Sequence, residues 1–311
     1  MTPVIHKLTL TGPENLGGKW PPRHLGFLLA EIQPAARAAV AMAFRNRSRV
    51  TGKTPDWLAK ASDIRLASLG GDGETTLVFE APQLREAAAD LYKQGESFPT
   101  RPDGADTALD LLTDVLADVA AGDADSVRFD DPLLRKIVRF RRVFEGPFDS
   151  LQVSSRRDQP GRISPPVIAS AEQLSARTPP PRRVRVVGVL DTVSQSQAFV
   201  LRMDDGQLVR GVLHGAAVAD ILPHFGRRVL VFGSAHFRPS GNLLRIEADE
   251  FRTATAKDDF FAKLPRPLGG LAPRPGAADR ERSAKSLRAV MGHWPGDETD
   301  EEVVAALKEL G

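Results

Sequence analysis

The chain of 311 residues contains no cysteine, which excludes disulfides, thiolate metal centres and cysteine nucleophiles. Its one tyrosine, Tyr92, shortens the list of nucleophiles further. No stretch approaches 18 consecutive apolar residues, the length a membrane span requires. The opening MTPVIHKLTLTG lacks a basic segment followed by an apolar one, so no secretory leader is expected and the expectation is a soluble, cytoplasmic protein without membrane contact. The six histidines (His6, His24, His214, His224, His236, His293) are scattered, with no H-E-x-x-H and no pair four residues apart. G-x-S-x-G, Walker and G-x-G-x-x-G patterns are missing too. These absences point to a non-catalytic chain with no metal and no cofactor.

What is present supports real cores joined by loops. Apolar residues make up 41% of the chain, yet it also holds 24 Pro and 26 Gly, and its length allows more than one domain. The formal charge is +2, with 32 Arg against 10 Lys. An isoelectric point near 9.0 is only weak evidence for nucleic acid.

Residues 1–148 read as a mixed α/β domain whose role the sequence does not state. Ile5, Leu8 and Leu10 alternate as in a strand, and Leu25, Leu28, Leu29 and Ile32 recur at helical spacing. Pro34 is expected to open a second helix running to Phe44. The stretch 63–82 is a hairpin around Gly70, Gly71, Asp72 and Gly73, a turn rather than a phosphate loop. Asp106, Asp110, Asp114 and Asp118 line one side of a helix, where like charges at this spacing repel. Arg135, Arg139 and Arg142 of the next helical stretch are the expected counter-charges, in an antiparallel helix pair. The basic run 44–53 reads as a solvated helix end.

Residues 149–181 are rich in Pro, Ser and Arg and are expected to be a linker. Beyond them, 182–253 contains five β-like runs with a brief helix between the third and fourth. That order resembles an OB-fold barrel. The resemblance implies an alternative function, single-stranded nucleic-acid binding through the barrel, for which Phe199, Arg202, Arg210 and Arg238 are the candidates, while Phe232 inside LVF looks like core. His214 and His236 fall on neighbouring strands and could meet. A Pro/Gly-rich linker is expected over 254–280.

The last segment, 281–311, differs in character. Leu287, Met291 and Trp294 form an apolar side, Arg282, Lys285 and Arg288 a charged one, and Pro295-Gly296 breaks the pattern. Thr299 to Glu302 then makes a capping box before Val303, Leu307 and Leu310. The final twenty residues hold six carboxylates and one lysine. Helices this short are marginal alone, so both want a surface to lie on. SLRAVMGHWPGDETDEEVVAALKELG resembles the C-terminal tails of bacterial type II (VapB-like) antitoxins that partner PIN-domain ribonucleases. The resemblance implies that Leu287, Met291 and Trp294 anchor on the toxin, that Val303 and Leu307 dock the last helix, and that Arg282, Lys285 or Arg288 approach its acidic cleft. The small DNA-binding module usual in that family has no counterpart here. The expectation is therefore an α+β multi-domain protein: a mixed α/β domain, a five-stranded OB-like barrel and a short helical tail that inhibits a PIN-type toxin.

Overall fold

Residues 3–13, 19–70, 75–93, 101–194, 196–214 and 217–268 are described by the structure, a computed structural model. The N-terminal sheet is wholly antiparallel, with strands β1 (Val4–Thr11), β2 (Arg65–Gly70), β3 (Thr75–Ala81), β4 (Ser150–Val153) and β5 (Gly161–Ile163) in the order β2-β3-β1-β4-β5. The expected hairpin is the β2–β3 pair. Alternation puts His6, Leu8 and Leu10 of β1 beside Leu77 and Phe79 of β3 on the buried face.

Helices α1 (Pro22–Arg45), α5 (Ala108–Ala120), α6 (Asp131–Arg139) and α7 (Pro165–Arg177) share that core; the short α2 (Asp56–Ala61), α3 (Leu84–Ala87) and α4 (Ala89–Lys93) lie between. Helix α1 runs through Pro34 without interruption, where the sequence suggested two helices. An interior proline costs roughly 3 kcal/mol, but Ile32, Ala35, Ala36 and Ala38 to Met42 are all buried, and that packing holds the helix together. By length and composition α1 could cross a membrane, yet most of that stretch is buried inside the fold.

Residues 149–181 are not a linker. They supply β4, β5 and α7, with Leu151, Val153, Ile163, Val167, Ile168, Ala171 and Leu174 buried in the same core. Pro165 and Pro166 sit in the first turn of α7, where a missing N–H costs nothing. The aspartate stripe is neutralised differently from expectation as well. Arg157 bridges Asp106 and Asp114 at 2.9 and 2.7 Å, Arg128 holds Asp118 at 3.0 Å, and Asp110 closes a capping box with Thr107. Arg135 pairs instead with Asp131 of its own helix, and Arg141 with Glu172 of α7.

The second core is a closed five-stranded barrel of mixed pairing: β6 (Arg182–Val193), β7 (Ala198–Arg202), β8 (Leu208–Leu213), β9 (Arg228–Phe237) and β10 (Leu243–Thr253), ordered β10-β8-β7-β6-β9. Strands β8 and β10 are parallel and the others antiparallel. Helix α8 (Val218–Ile221) and a 3-10 turn lie between β8 and β9. This connectivity is compatible with an OB-like barrel. Sheet domain and barrel belong to one compact unit, Met1–Ala272.

Candidate functional site

Buried polar and charged residues gather where the end of α1 meets the barrel. Asn46 caps α1 in the left-handed conformation, φ 52°, which asparagine adopts at little cost. The chain then delivers Arg47 to the barrel and Ser48 to Asp130, the cap of α6. Arg45 and Arg47, expected on a solvated helix end, are only 7% and 6% exposed. Arg45 bonds to Gln197, Ser196 Oγ donates to the Phe44 carbonyl at 3.0 Å, and Arg47 Nη1 lies 3.5 Å from both Glu247 Oε2 and His214 Nδ1.

Glu247 collects this network. Arg245 donates to it at 2.9 Å, and His236 Nε2 stands 3.4 Å away. His214 and His236 thus enter one cluster, through Arg47 and Glu247 respectively. Burial alone would raise the Glu247 pKa, but the hydrogen bond from His236 and the charge of Arg245 outweigh it and hold the carboxyl well below its usual range. Asp130 anchors the other end: it caps α6 through Leu133 N, accepts from Ser48 N at 3.2 Å and faces Arg245 at 3.1 Å. On the barrel rim, Ser240 Oγ and Asn242 Nδ2 donate to Asp125 at 2.6 and 2.7 Å.

Two adjoining cavities flank this junction, of about 430 and 410 Å³, and Asn46, Val127 and Arg210 line both. The first is walled by α1 and α5 through Met42, Leu111 and Val115, with Arg101, Arg128 and Arg157 around it. The second runs over β7 and β8 past Val200, Leu208 and Arg238. Both volumes fall in the range of small-molecule sites.

The four barrel residues singled out from sequence do not form one surface. Phe199 is fully buried, packed edge-to-face on Phe251 at 5.1 Å, and offers no ring to a base. Arg202 is outside both cavities and paired with Asp191 at 3.2 Å. Arg210 and Arg238 do meet in the groove. Arg238 donates to the Asp125 carbonyl at 3.0 Å. Arg210 is half-buried, and among the described residues it has neither a hydrogen-bond acceptor nor a carboxylate partner; burial first, and Arg238 second, push its pKa down.

Phe232 also departs from expectation: it faces outward between Arg185 and Arg252, whose guanidinium carbons lie 5.3 and 5.6 Å from the ring centre. Sequence reasoning missed Asn46, Arg101 and Arg157, which stand at a helix end or in loops where no periodicity marks them. The tail residues Arg282, Lys285, Leu287, Arg288, Met291, Trp294, Val303 and Leu307 lie outside the described residues, as does the turn at 71–74. Among the described residues no group of three or more His, Asp or Glu side chains converges as a metal site. Compared with known proteins, the chain matches no family model, no curated sequence and no solved structure.

Proposed function

We propose that this is a binding protein of antitoxin type, in which segment 281–311 engages and inhibits a PIN-domain ribonuclease while the folded body carries it. The observation that supports this is the order of residues in the segment. A helix-spaced set, Leu287, Met291 and Trp294, is followed by Pro295-Gly296, then by a capping box at Thr299 to Glu302 and a second apolar set, Val303 and Leu307. Two short amphipathic units separated by a breaker suit a strap that folds on a partner, giving up ordering entropy in exchange for a large wrapped surface. In this reading Trp294 is the central anchor, and Arg282, Lys285 and Arg288 face the acidic ribonuclease cleft.

Co-expression with a PIN-domain ribonuclease encoded beside this chain tests the proposal. Full-length protein should restore growth and co-purify with the ribonuclease. A version ending at residue 280 should do neither. Retention of the ribonuclease by the truncated protein would defeat the reading.

A further inference from the structure

The groove between the sheet domain and the barrel holds more positive charge than its own acids answer. Asp106 and Asp114 are held by Arg157. Asp103 has Arg156 at 3.6 Å and Arg85 at 3.9 Å. Arg128 is spent on Asp118, and Arg238 has Asp125 at 3.7 Å. Arg101 and Arg210 remain. Neither has a carboxylate within ion-pair distance among the described residues, and both line the same 430 Å³ cavity.

A half-buried guanidinium is ordinarily paired, because removing its water without a counter-charge is unfavourable. Arg210 is instead set near a second cation, Arg238. Such an arrangement opposes folding and favours capture of an anion. Arginine's planar fork suits an oxyanion with two acceptors, and two unanswered cations match a dianion better than a carboxylate. Met42, Leu111, Val115 and Val127 line the same cavity, an apolar surface that asks for a desolvated body on the same ligand.

We propose that this groove binds a small phosphomonoester with an apolar or aromatic body, its phosphate held by Arg210 with Arg101 and its body against Met42 and Val115. The residues named for this site all lie outside segment 281–311, so the proposal is tested separately from the ribonuclease reading.

Calorimetric titration of the full chain with nucleoside monophosphates, inorganic phosphate and a ten-residue oligothymidylate tests it. Expected is saturable binding of at least one nucleoside monophosphate, weakened about tenfold or more by Arg210→Gln and by Arg210→Lys, which keeps charge but loses the fork. Inorganic phosphate should bind more weakly than the nucleotide. Arg183→Gln, on an exposed pair with Asp249, should change nothing. Four results would overturn the proposal: no saturable nucleotide binding, equal affinity in the Arg210 variants, inorganic phosphate binding as tightly as the nucleotide, or binding of the oligonucleotide alone.

Discussion

Arg245 Nη1 lies 3.1 Å from Asp130 Oδ2, with the two side chains 2% and 4% exposed. One belongs to the last barrel strand and the other to the cap of α6, so this ion pair ties barrel to sheet domain. It is not aligned as a hydrogen bond, and its partners extend to Ser48 and Glu247. Taking one member away leaves an uncompensated buried charge, which typically costs about 3 to 5 kcal/mol. Asp130→Asn should therefore lose about that much in urea unfolding. Asp130→Asn combined with Arg245→Met should lose less than the sum of the single changes, because the orphaned charge is gone. Additive losses would show that the two residues do not act as a pair.

The depressed Glu247 pKa makes the junction acid-sensitive. A carboxyl held below its ordinary value of 4.5 contributes stability that is complete above that value and declines as pH falls through the folded-state value. Glu247→Gln should accordingly be much less stable than the parent at pH 7, and the gap should narrow as pH falls below about 4.5. The charged groups around it are Arg47, Arg245 and His236. Unfolding curves of both proteins between pH 7 and pH 3 give the comparison. A gap independent of pH would mean that Glu247 contributes shape and not charge.

Arg157 offers a prediction that no helix pattern would suggest. Its guanidinium bridges Asp106, 3% exposed, and Asp114 from a loop some fifty residues downstream. Its pKa is pushed up, first by the hydrogen bonds to Asp114 and Asp106. Arg157→Ala leaves Asp106 with the longer 3.3 Å contact to Arg156 and Asp114 facing Asp106 unscreened. A loss of roughly 2 to 3 kcal/mol is expected. Asp114→Asn in the Arg157→Ala background should restore part of it by removing one of the two opposed charges.

The barrel was legible in sequence because its signals are local. Period-two runs, Gly206 and Gly241 at turns and a brief helix between strands all announce themselves within a few residues. The strand inventory followed, but not every side chain's direction. Phe232 lies in the apolar triplet Leu230-Val231-Phe232 opposite Arg185, and alternation turns it outward where composition suggests core. The same parity puts Phe199 inside and leaves Arg210 half-exposed on the next strand. What stayed hidden depends on distant partners. Arg45 and Arg47 are buried because Gln197 and Glu247 wait for them at sequence separations of 152 and 200. Proline content made 149–181 look like a connector, although Pro165 and Pro166 merely open a helix and two very short strands complete the sheet.

Among the described glycines of the barrel strands, Gly211 leaves the least room for a side chain, because Phe199 fills the space beside it. A Cβ on Gly211 would lie 2.0 Å from Phe199 Cζ, and the two residues are register partners on β8 and β7. Phe199 cannot swing away, since it is fully buried against Phe251. Glycine is thus required at 211 for room rather than for backbone freedom. Gly211→Ala should overpack the core and cost about 1 to 3 kcal/mol. Pairing it with Phe199→Leu should recover part of that loss, because the smaller side chain vacates the space the new methyl needs while leaving less of a void than alanine would. Thermal unfolding of the two single variants and the double variant decides it. A double variant no more stable than the worse single one would place the strain of Gly211→Ala somewhere other than the Phe199 ring.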